Sequence, residues 1–224
     1  MDKVIALGDV TLGEGVDTWN TIIFLYNSAL KEVQTKVEIL NDEFQQVHQY
    51  NPIEYIKSRI KSSESIVKKL KRSGHETSIN NMVNYINDIA GIRIVCSFTS
   101  DIYRLAEMIG RQNDLTVMSV KDYIKHPKDS GYKSYHMLVT VPIFLSDRTI
   151  DTKVEIQIRT MAMDFWASLE HKIYYKFEGN APKYISQDLR ECSGIVSMLD
   201  AKMLQLNEAI LEAKAAQEED TGAV

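Results

Sequence analysis

A chain of 224 residues with 44% hydrophobic and 25% charged residues can bury a substantial core, as one large domain or one domain with helical extensions. Its formal net charge of −5 argues against coating nucleic acid through bulk charge, so any phosphate-binding site has to be local. No apolar run approaches the roughly 20 residues of a membrane span and no export leader is visible, so a cytoplasmic protein with no membrane partner is expected.

Residues 1–16 are Gly-rich and aperiodic and read as a flexible lead-in. Over 17–51, Trp19, Ile22, Ile23, Tyr26, Leu30, Val33, Val37, Leu40, Phe44 and Val47 recur at helical spacing and predict a long amphipathic helix. In "NPIE", Asn51 suits an N-cap, Pro52 a first helical position and Glu54 a first turn, which predicts a second helix to about Arg72. The period then changes. "GIRIVCSF" (91–98), "LTVMSV" (115–120), "SYHMLVTV" (134–141) and "KVEIQIR" (153–159) read as strands, with a helix capped by Ser100 between the first two and a turn at 145–149. Thr160 reads as the N-cap of the helix that follows, and "EGNAP" ends that helix. The last helix carries Leu189, Cys192, Val196, Leu199, Met203, Leu206, Ile210 and Ala213 at alternating spacings of three and four. Packing on the first long helix is the plainer reading of that stripe, and packing on another subunit is the alternative. Residues 217–224 read as a disordered acidic tail. Cys96 and Cys192 form no ligand or CxxC pattern and read as reduced core thiols.

Four clusters carry chemistry. "KSRIKSSESIVKKLKR" (57–72) presents Arg59, Lys61, Ser65 and Lys69 in a form that can grip a polyphosphate, or that can simply be solvated. Asp88 precedes a buried strand, where a metal ligand is often placed, and Arg93 lies inside that strand and needs a partner. Alternation in "VEIQIRT" puts Glu155, Gln157 and Arg159 on one face, so Glu155 can join Asp88 in a two-carboxylate Mg²⁺ site. In the basic stretch "KDYIKHPKDSGYKSYH" (121–136), Gly131 allows a tight turn and Tyr132 offers a face for a nucleobase, while Lys121, Lys125, Lys128, Lys133 and His136 add charge. Two phosphate-rich ligands meeting at a metal explain all four together.

"RIKSSESIVKK", "DIAGIRI", "KDYIKHPKDSGYKSYH" and "VEIQIRT" resemble, in order and spacing, the synthetase domain of the RelA/SpoT family. "VEIQIRTMAMDFWASLEHKIYYK" is similar to the small stand-alone alarmone synthetases, most of all the RelP branch. The resemblance implies an α/β (α+β) fold: a nucleotidyltransferase-like mixed sheet of about five strands flanked by helices over 52–178, with a C-terminal assembly helix at 179–216. It implies a GTP diphosphokinase of the stringent response, moving pyrophosphate from ATP to the 3′-hydroxyl of GDP or GTP to give AMP and ppGpp or pppGpp. Arg59 and Arg93 would then sandwich adenine, Lys61, Ser65 and Lys69 would hold the ATP phosphates, and Asp88 and Glu155 would bind Mg²⁺. Glu155 would also act as base. Tyr132 would stack on guanine, with Lys121, Lys128, His136 and Gln157 on the acceptor or the transferred group. A homotetramer is implied as well.

Two features depart from the family pattern: "DSGY" stands where long members carry "NGY", and Asp164 stands where product-activated members carry Asn. The added charge at Asp164 speaks against product activation. None of the five histidines is followed by Asp, so the hydrolase HD motif is missing and a synthetase-only chain is expected. The alternatives are a nucleotidyltransferase-type enzyme acting on RNA or protein, and an RNA-binding regulator. Net charge lends RNA binding no support.

Overall fold

The computed structural model describes residues 5–9, 16–48, 50–176 and 182–221. Helix α1 (Val16–Gln46) follows a short strand β1 (Ile5–Ala6). Ile22, Leu25, Tyr26, Ala29, Leu30, Val33, Val37 and Phe44 form its buried stripe, as the periodicity predicts. Next come β2 (Ile53–Ile60), α2 (Ser63–Arg72), α3 (Ile79–Tyr85), β3 (Ala90–Cys96), α4 (Thr99–Gly110), β4 (Thr116–Asp122), β5 (Tyr135–Phe144), β6 (Thr149–Thr160), α5 (Met161–Lys176) and α6 (Lys183–Thr221). The sheet runs β2-β3-β6-β5-β4, with β1 parallel to β6. Only β3 and β6 pair in parallel along that path; the other three pairings are antiparallel. This is the mixed five-strand sheet flanked by helices expected from the sequence, with one short added strand.

Several expectations are corrected. Residues 53–60 are a strand, not the start of a helix. Asn51 does accept a backbone bond, from the Ile53 N–H at 2.9 Å, but this closes a turn into β2. Ile53, Ile56 and Ile60 are β-branched, and antiparallel pairing with β3 outweighs the helix-start pattern. The second helix begins only at Ser63, capped by Ser62. Helix α4 begins at Thr99, where Asp101 reaches back to the Phe98 N–H at 3.1 Å, so Ser100 is not its cap. Residues 5–6 of the lead-in pair with β6, and α6 continues through 217–221 of the predicted tail. Residues 1–4, 10–15 and 222–224, and most of "EGNAP", lie outside the described residues. Cys96 is buried but Cys192 is exposed, so only the first is a core thiol. The α6 stripe packs near Leu189 and Val196, where Trp166 of α5 is the partner. Beyond that, Leu199, Met203, Leu206 and Ile210 are about half exposed or more, so the stripe is not spent on α1.

Strand pairing arranges the site. One face of the sheet carries Ile92, Ile94, Met137, Val139, Val154, Ile156 and Ile158 and joins the core under α1 and α4. On the opposite face, register places Lys57, Arg93, Gln157, His136 and Lys121 in a single rank across all five strands. The neighbouring rank holds Arg59, Gly91 and Glu155. Side chains alternate strictly along strands, so residues distant in sequence come to line one surface.

Candidate active site

Two adjoining cavities open on this polar face, of about 650 Å³ and about 300 Å³, and share Arg59, Asp88, Arg93, Glu155 and Gln157. The larger is also lined by Lys69, Lys121, Lys128, Tyr132 and His136. Ten of the twelve residues singled out from the sequence therefore meet in one cleft. Of the other two, Lys61 touches the cleft through Asp88, at 2.6 Å. Ser65 does not reach it: the residue is exposed, and its N–H and hydroxyl both engage Ser62 at the start of α2.

The position of Asp88 follows from local structure. Ile60 pairs with Ala90, and the Lys61 N–H donates to the Ile89 carbonyl, so the end of β2 lies beside the entry to β3. Lys61 and Lys69 each donate to a different oxygen of Asp88, at 2.6 and 2.8 Å. Burial alone would raise the Asp88 carboxyl, but the two ammonium groups outweigh it and hold the pKa below the usual value. Glu155 follows the same pattern. Burial pushes its pKa up, whereas His136 at 3.4 Å and the Gln157 amide at 2.7 Å bring the net shift down. Both groups are carboxylates at neutral pH.

The basic stretch is an ordered loop. Asp122 accepts from the Ile124 and Lys125 N–H groups, and the Gly131 N–H donates to the Lys128 carbonyl. Gly131 has φ +90°, and a Cβ there would lie 2.8 Å from the Ser193 Cβ of α6. Ser193 donates to the Gly131 carbonyl at 2.5 Å and Lys133 to the Ser197 hydroxyl at 2.7 Å, so the loop is docked on α6. Tyr132 sits between cations, with the Lys128 ammonium 4.7 Å and the Arg159 guanidinium 5.0 Å from its ring centre. Its hydroxyl is 2.9 Å from His136 Nε2 and accepts from Arg159.

Sequence reasoning placed Arg159 on the right face but gave it no role, and it missed Tyr123, Ser168, Glu170, His171 and Lys172 on the cleft wall. Strand alternation was the available signal for Arg159. The α5 residues carry none, because they reach the cleft only through the packing of α5 across the sheet. Asp164 is 4% exposed and accepts from Arg93 at 3.0 Å and Arg159 at 3.1 Å. Its charge is therefore spent inside the protein, which removes the electrostatic ground for reading it as a barrier to polyphosphate.

Residues 58–180 match the model of the region found in RelA/SpoT proteins, and these residues build the cleft. The chain belongs to the RelA/SpoT family. This RelA/SpoT chain is 46% identical over 195 residues to GTP pyrophosphokinase YwaC of Bacillus subtilis, covering 87% of itself and 93% of that protein. The crystal structure of small alarmone synthetase 2 from B. subtilis superposes with TM-score 0.78 at 46% identity, over 85% of this chain and 98% of that one. The small alarmone synthetase 1 of the same organism, bound to its product pppGpp, gives 0.82 at 34% identity, over 87% and 99%.

Proposed function

We propose that the chain is a GTP pyrophosphokinase that transfers pyrophosphate from ATP to the 3′-hydroxyl of GDP or GTP, giving AMP with ppGpp or pppGpp. The observation that carries the reading is the pair of joined cavities meeting at two ionised carboxylates, in a chain 46% identical to a protein of that name. Arg59 and Arg93, at the smaller cavity, bind the adenine of ATP. Lys61 and Lys69 hold its phosphates, and Ser65 joins them only if the first turn of α2 shifts on binding. Tyr132 carries the guanine once Lys128 moves off its ring, and Lys121, His136 and Gln157 hold the acceptor and the transferred group. The 3′-oxygen attacks the β-phosphorus, the bond from that phosphorus to the oxygen bridging it to the α-phosphorus breaks, and AMP leaves. Glu155 accepts the hydroxyl proton. Holding both nucleotides in line supplies several kcal/mol of the barrier.

Two carboxylates facing a cleft that admits phosphates fit magnesium, which takes one or two protein carboxylates and completes its shell from substrate and water. Asp88 and Glu155 are the residues that would hold it, with the substrate phosphates completing the shell, since no cluster of three or more His, Cys, Asp or Glu among the described residues could hold a metal alone. A Mg²⁺ ion held there would neutralise phosphate charge and lower the pKa of the attacking hydroxyl. The half-exposed stripe of α6 supports self-assembly without fixing its order; the homotetramer is carried by the family resemblance, and light scattering reads that mass directly. We place the chain's work in the cytoplasm; no helix among the described residues is long and apolar enough to cross a membrane. Higher identity to synthetase 2 than to synthetase 1 supports a single branch, which we read as RelP. The test is chromatography of products from γ-labelled ATP with GDP and, separately, GTP. Labelled ppGpp and pppGpp, lost in Glu155→Gln, are expected. A folded, ATP-binding protein that makes neither refutes the reading.

A further inference from the structure

The buried carboxylate of Asp164 lies behind the cleft wall and binds two of its arginines. Its Oδ1 accepts from Arg93 Nη1 at 3.0 Å and from Arg159 Nη1 at 3.1 Å, and its Oδ2 accepts from the Tyr55 hydroxyl at 2.7 Å. Arg93 lies on β3 where the two cavities adjoin, and it is the one of the pair that also lines the smaller cavity. Arg159 holds the Tyr132 hydroxyl, Gln157 at 3.0 Å and Ser134 at 3.3 Å in the larger one. Two guanidinium groups sharing one oxygen would repel each other without the charge between them. Arg93 is the looser of the two: its side chain is 27% exposed against 4% for Arg159, and its Nε is buried without a hydrogen-bond partner. An unsatisfied buried donor is costly, so Arg93 adopts this position because Asp164 holds it there.

We propose that Asp164 is a positioning residue that presents Arg93 to the donor nucleotide and fixes its distance from the acceptor platform of Arg159 and Tyr132. The inference rests on the two-nucleotide reading of the cleft. Tyr55 keeps the carboxylate from turning, and the start of α5 carries it under both strands. Removing the charge frees Arg93 first, because Arg159 keeps three other partners.

The test is calorimetric binding of a non-hydrolysable methylene analogue of ATP, and separately of GDP, to the full chain and its variants. Asp164→Asn should weaken the analogue about tenfold, the size expected for a lost hydrogen bond between charged groups, and GDP by less. Arg93→Ala should weaken the analogue similarly, and the double variant no further, because one residue acts through the other. A general loss of structure would instead make the two effects multiply. Tyr55→Phe should produce a smaller loss in the same direction, absent in the Arg93→Ala background, and it decides the matter if Asp164→Asn does not fold. Unchanged analogue affinity in the folded variants, multiplying effects, or a greater loss for GDP than for the analogue overturns the positioning role. A wild-type chain that binds neither nucleotide overturns the two-nucleotide reading itself, and the proposal with it.

Discussion

At the scale of single residues, Gly131 shows how one backbone position sets a binding loop. Its positive φ and the 2.8 Å approach to Ser193 leave no room for a Cβ. Gly131→Ala therefore combines strain of about 1–3 kcal/mol with a clash, and the loop has to leave α6. Steady-state kinetics should show KM for GDP or GTP raised about tenfold or more, with KM for ATP little changed; equal shifts in both would contradict this. Asp101 gives a pH signature. Burial pushes its carboxyl up further than the bonds from Tyr50 and Phe98 pull it down. The folded state thus holds this proton above the unfolded pKa of about 3.9, and the stabilisation present below that pH fades as pH rises through the folded value. Asn at 101 keeps an acceptor for both donors without titrating. Urea unfolding should show Asp101→Asn gaining on the wild type as pH rises from about 4, and a constant gap would disprove the assignment. Glu155, Gln157 and Arg159 were readable by alternation alone, whereas the Asp164 network was not. It joins α5 to two strands, and sequence spacing is silent about contacts between elements.

Among elements, α2 rests on few contacts. Ile66 and Leu70 are its two buried residues, and between them they aim Lys69 at Asp88. Leu70→Ala should cost about 2–5 kcal/mol and weaken ATP binding, checked by denaturation alongside nucleotide titration. Unimpaired binding at that stability loss would show that Lys69 does not depend on the packing of the helix. The same region shows where local signals mislead. "NPIEYIKSRI" satisfies helix-start chemistry and also offers β-branched residues at strand positions, and only the presence of β3 as a partner decides between them. Long periodic segments such as α1 have no such competitor: their apolar stripe specifies one face at one period. Helix α6 combines both situations. Its spacing announces a seam, but which surface the seam meets depends on a partner lying outside its own sequence.

For the whole molecule, a sheet with one apolar and one polar face separates stability from chemistry. The apolar face packs beneath α1 and α4. The polar face gathers residues from four sequence-distant motifs into two neighbouring ranks, and α5 and the basic loop, itself docked on α6, wall it. An acidic protein thus presents a locally basic cleft, as the proposed reaction of two polyphosphate nucleotides requires. The central claim is that this cleft moves pyrophosphate rather than a nucleotide. The direct measurement is a paired reaction with ATP labelled at the α- or the β-phosphorus, Mg²⁺ and GDP. The account predicts β-label in ppGpp and α-label only in AMP, in equal amounts. Appearance of α-label in the acceptor product would contradict it and establish nucleotidyl transfer instead.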